Sequence, residues 1–309
     1  MKSITKNNQS NTIKQGGAGY LIFQIIVSLL LILFAFMCIY PFWYIIIYAL
    51  SDPAQVGYGV TLLPRGFSLR HFQMVLEMPE VYQAFFISAS RAFVGTVITL
   101  FFSSMFAFVL TKQILPYRLV IYRVMVISMY LSAGLIPWFL TMNFYRLNNT
   151  FFLYVIPSAV GAFYVILIKT FMESLPEALE EAAMLDGANY FQIFIMIILP
   201  VCKPILATVA VFSAVGQWNS WTDNFFLVSD SRLFTLQYML YNLLNQAEAI
   251  AAQLRSGRIG SSMREFIQII SPMSIRMATT VVTILPILFV YPLLQRYFVK
   301  GLILGAIKA

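Results

Sequence analysis

Long apolar runs are the feature of this 309-residue chain that most restricts its fold. A membrane-spanning helix needs about 20 mostly apolar residues. Six segments meet that need, at about Tyr20–Tyr48, Phe85–Leu110, Val120–Met142, Phe151–Phe171, Phe194–Val215 and Ala278–Leu294. The sequence therefore predicts an all-α polytopic membrane protein with six transmembrane helices over residues 20–309, preceded by a polar tail over residues 1–19.

The composition agrees with a membrane protein and excludes an ordinary soluble domain. The chain is 60% hydrophobic and 10% charged, whereas soluble domains are about 45–50% apolar and about 25% charged. The net charge of +8 is typical of cytoplasmic loops rich in Lys and Arg, and a nucleic-acid partner is not predicted. Cys38 and Cys202 lie within apolar runs, so we expect no disulfide framework.

The basic residues predict the orientation. If the N-terminus is cytoplasmic, every lysine falls on the inner side, and most outer arginines lie in two long loops, which count little. Both termini are then cytoplasmic. The outer loops cover about 51–82 and 219–276, and the second contains a helix-like stretch at Phe234–Leu254. They either contact a soluble partner or only connect the spans.

The segment that joins the fourth and fifth spans is short, acidic and rich in small residues. Ser174 and Glu177 have the spacing of a capping box. Gly187 permits a bend, and Pro200 and Pro204 follow where the chain re-enters the membrane. The pattern predicts a helix on the cytoplasmic face. Two interpretations are open: insertion into a groove of another protein, or an ordinary surface helix.

The same segment resembles the signature of ABC importer permeases. It reads Glu-Ala-Ala, three residues, Gly, nine residues and Ile-x-Leu-Pro, at Glu181–Ala183, Gly187 and Ile197–Pro200. The resemblance implies a type I permease whose coupling helix, in the loop at about 174–200, sits in a cleft of a separate ATPase. The residues so implied are Glu181, Ala182, Ala183, Asp186 and Gly187. Glu181 would pair with a basic residue of the ATPase, and Gly187 would form the bend.

Three looser stretches resemble the carbohydrate branch, in its maltose-type smaller permease. They are Gln217–Trp221 with Asp223, Phe67–Phe72 and Lys300–Lys308. The resemblance implies a bacterial plasma membrane protein that forms half of a sugar or oligosaccharide path. Its implied partners are a second homologous permease, two ABC ATPase subunits, an extracytoplasmic solute-binding protein, the sugar and membrane lipid. ATP and Mg are used by the ATPase, and this chain binds no cofactor.

A few polar and aromatic residues are candidates for the substrate path. Arg91 lies inside the second apolar run, where a charge faces a cavity, pairs with a partner or reaches the interface. The other candidates are Tyr130, Trp138, Trp218, Asn219, Trp221 and Asp223. Trp at a membrane boundary also serves as an interfacial anchor. His71, the only histidine, is expected to be a solvated loop residue, and no metal site is predicted.

Other classes of function find less support in the sequence. There is no phosphate loop of the Gly-x-x-x-x-Gly-Lys-Ser/Thr type, no His-Glu-x-x-His helix and no Gly-x-Ser-x-Gly motif. The chain is therefore predicted to be a transport subunit and not an enzyme. The alternatives are an ABC importer permease for a solute other than a sugar, and an ion-coupled secondary carrier. The carrier would need ionisable residues within its spans.

Overall fold

The described part of the chain is almost entirely helical. The structure, a computed structural model, describes residues 18–52, 55, 62–255 and 272–306. The first half contains α1 (Ala18–Ala49), α2 (Arg70–Leu76), α3 (Pro79–Thr111), α4 (Arg118–Tyr130), α5 (Leu135–Phe144), α6 (Phe152–Val155) and α7 (Ala162–Met172). The second half contains α8 (Ala178–Leu185), α9 (Tyr190–Ile193), a π-helical turn (Phe194–Ile198), α10 (Leu199–Val201), α11 (Lys203–Asn219), α12 (Thr222–Leu227), a 3-10 turn (Ser231–Leu233), α13 (Leu236–Arg255) and α14 (Pro272–Ala306).

Three stretches of helix in the described residues are long and apolar enough to cross a membrane. They are Gly19–Ala49, Pro79–Thr111 and Met273–Val290. They coincide with the predicted first, second and sixth spans, which are confirmed as long apolar helices. Two bent pairs of helices raise the number of apolar spans to as many as five.

The predicted third and fifth spans are sharply bent. Helices α4 and α5 meet at 119°, and Gly134, just before α5, has φ +81°. The run Tyr190–Val201 meets α11 at 82°, around Cys202. Pro200 and Pro204 flank that bend, and each lacks the N–H that a continuous helix would use. Neither predicted span is therefore one straight helix.

The predicted fourth span is a broken helix. Residues 156–161 separate α6 from α7, so the expectation of one helix over 151–171 is wrong. Two side chains of α3 bind the intervening backbone: Thr99 Oγ1 donates to the Ser158 carbonyl at 2.9 Å, and the Gly161 N–H donates to Ser103 Oγ at 3.2 Å. Non-helical backbone at membrane depth needs such partners, because lipid offers none.

Helix α3 lies at the centre of the packing. It contacts α11 and α7, and α11 in turn contacts α14. Its buried positions are mostly small: Ser88, Gly95, Thr96, Thr99, Ser103, Ser104 and Ala107. Small residues let helix backbones approach closely, and this is how helices associate in membranes. By contrast, the side chains of α1 from Tyr20 to Trp43 are almost all exposed.

His71 is buried, with 1% of its surface exposed, and the prediction of a solvated loop residue is wrong. It lies in α2, which packs against α14 and α3. Loss of solvent lowers the pKa of His71, and the charge of Arg70 acts in the same direction. The loop before α2 is tied down by the bridge between Ser51 and Phe67. The sequence around His71 did not indicate that the residue would be buried between helices.

The two loops predicted to be outer are partly helical. The helix predicted at Phe234–Leu254 is confirmed as α13, and the first outer loop contains α2. The predicted tail over residues 1–19 lies outside the described residues up to position 17, as do 53–54, 56–61 and 256–271 of the two outer loops. The last three residues of the chain, 307–309, also lie outside the described residues.

Replacing Thr99 by Val tests the support of the broken span. The substitution keeps the shape and removes the donor to the Ser158 carbonyl, so we expect the free energy of unfolding to fall by about 1 kcal/mol. Thermal unfolding of the purified protein in detergent measures the change. The control is Thr170→Val, at an exposed position of α7. Equal midpoints for the two variants would contradict the assignment.

Candidate functional site

The segment that carries the Glu-Ala-Ala pattern forms α8, and its C-terminal end is closed by Gly187. Gly187 has φ +83°, a left-handed conformation that costs other residues about 1–2 kcal/mol. The Gly187 N–H donates to the Met184 carbonyl and the Ala188 N–H donates to the Ala183 carbonyl, both at 3.0 Å. This pair of bonds is a Schellman motif, and it places the predicted bend at Gly187.

The start of α8 differs from the prediction. Ser174 Oγ donates to the Phe171 carbonyl at 2.7 Å, and no side chain caps α8, so the predicted capping box does not form. A capping box forms instead at α9: the Gln192 N–H donates to Asn189 Oδ1 and the Asn189 N–H donates to Gln192 Oε1, both at 2.9 Å. The Asn-x-x-Gln spacing carried that signal. The two turns that follow α8 are therefore fixed by hydrogen bonds.

One face of α8 is anchored and the rest is open. Ala183 is 7% exposed and packs into the core formed by α3, α7 and the π-helical turn. Glu181, Ala182 and Asp186 are exposed, and Leu185 is 89% exposed. The exposed side of α8 therefore presents the carboxylates of Glu181 and Asp186 together with the apolar side chain of Leu185.

Glu180 forms an ion pair within the protein itself. Its partner is Lys112, the residue that directly follows α3. The side chains of Lys112 and Glu180 are 14% and 24% exposed. The Lys112 ammonium also lies 4.0 Å from the centroid of the Phe108 ring, a cation–π contact. Neither contact was predicted from the sequence, because nothing in the sequence joins positions 68 residues apart.

A second charged cluster, which we call the Arg91 network, lies in the opposite half of α3. Arg91 Nη1 donates to Asp223 Oδ1 at 3.0 Å, Nη2 contacts Asp223 Oδ2, and Nε donates to Gln217 Oε1 at 3.0 Å. The guanidinium also lies 4.5 Å from the centroid of the Tyr154 ring. Arg91 is 3% and Asp223 7% exposed, so the ion pair is bidentate and almost dry.

Gln217 extends the Arg91 network to the broken span. Its Nε2 donates to Ser158 Oγ at 2.6 Å. A Cβ atom on Gly95 would lie 2.7 Å from the same Nε2, so the glycine provides the room that Gln217 occupies. In the sequence, Gln217 stood out only as part of a motif. Its hydrogen bond to Ser158 depends on the space left by Gly95, which lies far away in the chain.

The structure brings together only some of the predicted path residues. Arg91 and Asp223 meet in the Arg91 network. Trp218 is buried and donates Nε1 to the Thr283 carbonyl at 3.2 Å. Trp221 stacks on Tyr241 with centroids 4.1 Å apart, and Asn219 is exposed.

The remaining two candidates lie on α4 and α5. Tyr130, the last residue of α4, is 83% exposed. Trp138 in α5 is partly buried and packs against a cluster that includes Leu153 and Leu227. That cluster also includes Tyr154, whose ring faces Arg91.

The chain is similar to known transport proteins along nearly its whole length. It is 30% identical over 288 residues to the polygalacturonan/rhamnogalacturonan transport system permease protein YtcP of Bacillus subtilis (strain 168), and the match covers 93% of this chain and 98% of that protein. It is 32% identical over 271 residues to the protein LplC of the same organism, with 87% and 89% covered. No protein-family model matches the chain.

The fold is similar to a crystal structure of a bacterial ABC transporter involved in the import of the acidic polysaccharide alginate. The TM-score is 0.81 at 27% sequence identity, and the match covers 92% of this chain and 99% of that chain. The all-helical architecture predicted from the sequence is therefore confirmed, and it is shared by a transporter of known structure.

Replacing Asp223 by Asn tests the Arg91 network. Asn keeps the side-chain shape but leaves the Arg91 guanidinium buried without its counter-charge, so we expect the free energy of unfolding to fall by about 3 kcal/mol. The control is Asp230→Asn, which breaks the pair with the exposed Arg232 and is expected to change little. Thermal unfolding in detergent compares them. Similar midpoints for both variants would show that the buried pair does not support the fold.

Two substitutions at Gly187 test the left-handed turn. No atom lies within 4 Å of the position that a Cβ would take there, so Gly187→Ala introduces backbone strain without a clash and is expected to destabilise the protein by about 1 kcal/mol. Gly187→Asn is expected to cost less, because Asn tolerates this conformation. The rate of proteolysis within the segment that contains α8 reports the loosening of the turn. An Asn variant cleaved as fast as the Ala variant would contradict the reasoning.

Proposed function

Because this chain belongs to the permease subunits of ABC carbohydrate importers, we propose that it forms half of an oligosaccharide path together with a second, homologous permease. It is a transport subunit and not an enzyme, since ATP is used by a separate ATPase in this family. We further propose two ATPase subunits below the pair and an extracytoplasmic solute-binding protein above it. The mostly exposed apolar surface of α1 suits contact with lipid.

The single observation that carries this proposal is the exposed surface of α8. Glu181 and Asp186 present negative charge beside the bare Leu185, a combination that suits a cleft with a basic rim and an apolar floor. Ala182 keeps the helix slim, and Gly187 ends it. In the proposed assembly α8 is the coupling helix, and Glu181 pairs with a basic residue of the ATPase.

The proposed topology has six spans with both termini in the cytoplasm. Helices α1, α3 and α14 are three of them. The bent pairs α4–α5 and α9–α11 supply two more, and the broken pair α6–α7 supplies the sixth. In this arrangement α8 lies on the cytoplasmic side, whereas α2, α12 and α13 lie on the side of the solute-binding protein. The lysine distribution supports it, because Lys112 and Lys169 then lie at the cytoplasmic ends of their spans.

The proposed cargo is an acidic oligosaccharide built from uronic acids. Support comes from the similar proteins, whose names refer to polygalacturonan and rhamnogalacturonan and to alginate. Arg91 is not the residue proposed to neutralise the cargo, because its charge is already paired with Asp223. Asn219, Trp221 and Tyr130, which are at least partly exposed, are the predicted path residues that we propose to meet a sugar.

The proposed mechanism couples two global states of the assembly. ATP binding closes the ATPase dimer, draws the two coupling helices together and favours the state in which the path opens outward; hydrolysis restores the inward-facing state. The solute-binding protein, when loaded, must bind the two states with different affinity, because only differential binding shifts such an equilibrium.

The test reconstitutes this chain in lipid with its neighbouring permease, ATPase and solute-binding protein. ATP hydrolysis is measured with the solute-binding protein empty and loaded with oligogalacturonate, alginate oligomers or a neutral arabino-oligosaccharide. We expect stimulation by the acidic oligosaccharides, and its loss in a Glu181→Lys variant whose complex still assembles. Deletion of the charge alone, in Glu181→Gln, is expected to give an intermediate effect.

Each result bears on a different part of the proposal. Stimulation by the neutral sugar alone would reject the acidic cargo and keep the carbohydrate importer. Full stimulation in the assembled Glu181→Lys complex would reject the role of α8. Transport of these sugars without the ATPase would reject an ABC mechanism altogether.

A further inference from the structure

The two neighbouring glutamates of α8 face in different directions. Glu181 is exposed and is available to another protein, whereas Glu180 is only partly exposed and is held by Lys112. The carboxylate of Glu181 is therefore free to bind another protein, whereas that of Glu180 is bound within this chain. Within the coupling motif the second contact is not implied by the family resemblance, which concerns Glu181 and the residues that follow it.

The contact between Glu180 and Lys112 is well fixed. Lys112 caps the end of α3, with its N–H donating to the Val109 carbonyl at 3.2 Å, and its ammonium lies over the Phe108 ring. Phe108 in turn lies 5.4 Å from Phe194 in the core that includes Ala183. Both charged side chains are less than one quarter exposed, so solvent screens this pair less than an exposed one.

Helix α3 connects this contact with the opposite side of the molecule. It runs without a break from Pro79 to Thr111. In the other half of the helix Arg91 binds Asp223, and Ser88 Oγ accepts the Leu236 N–H, the first of α13, at 2.8 Å. One continuous helix thus joins α8 to α12 and α13, which lie on the side proposed to face the solute-binding protein.

We propose that the Lys112–Glu180 ion pair is the positioning contact through which a displacement of α8 moves α3. The proposal rests on the proposed function, since it assumes that an ATPase displaces α8. The pair acts through α3 and touches neither ATP nor the sugar. A helix held at one end by an ion pair and in its other half by the Arg91 network follows a movement of α8 as one body, and it carries that movement to α12 and α13.

The experiment uses the same reconstituted complex and the same panel of loaded solute-binding proteins. The variants are Lys112→Glu, Glu180→Lys, the double exchange and Glu180→Gln. The quantity measured is the ratio of ATP hydrolysis with loaded to empty solute-binding protein, for complexes shown to contain all subunits. We expect each single reversal to lower the ratio about fivefold, and the double exchange to restore most of it, because only the exchange re-forms the pair.

The matched control is a second pair of the same chemistry. Lys169 and Glu173 form an ion pair at 2.6 Å within one helical turn, and the Lys169 ammonium lies 4.6 Å from the Tyr122 ring centroid. This pair does not involve α8. The single reversals Lys169→Glu and Glu173→Lys are therefore each expected to leave the ratio unchanged, whereas an equal loss there would overturn a specific role for Lys112–Glu180.

The remaining outcomes are decisive as well. A ratio that stays at the wild-type value in the assembled single reversals, or that the double exchange fails to restore, would overturn the proposal. If the charge-reversal variants do not assemble, the Glu180→Gln variant, which keeps the side-chain volume, is the test. An unchanged hydrolysis ratio in that variant rejects the positioning role, and a lowered ratio supports it. A wild-type complex that no loaded solute-binding protein stimulates would reject the proposed function, and this inference with it.

Discussion

A guanidinium within apolar surroundings must find a counter-charge, and Arg91 finds it 132 residues away in Asp223. This pair decides how the half of the molecule around α12 is assembled, because leaving either charge unpaired there is far more costly than exposing it to water. Gln217 and Tyr154 complete the surroundings of the guanidinium. Helix α3 is thereby tied to the end of α11, to α12 and to the chain that leads into the broken span.

The same physical rule explains the other polar groups of α3. Backbone that leaves a helix within an apolar stretch must be hydrogen-bonded by protein, and Thr99 and Ser103 do this for residues 156–161. The helix can approach that segment closely because its buried side chains are small. A break in one span is thus stabilised by hydroxyl groups of another, and α3 becomes the element around which α7 and α11 pack.

Helix α8 combines a fixed position with a free surface. Ala183 and the Lys112–Glu180 pair hold it to the body of the protein, and the turns at Gly187 and Asn189 fix the direction in which the chain continues. Its other side chains are exposed. A helix attached in this way can transmit force, whereas a flexible loop of the same sequence would absorb it.

The sequence by itself determined the class of protein, three of the long apolar helices, α13 and the segment around Gly187, because hydropathy over about 20 residues and a contiguous motif are local properties. Only the tertiary structure decided what Arg91, Glu180 and His71 contact and where spans three to five bend or break. Those outcomes depend on groups far apart in the chain. Prolines and glycines indicate that a helix can break, but the break is stable only where a neighbouring helix supplies the missing hydrogen bonds and charges.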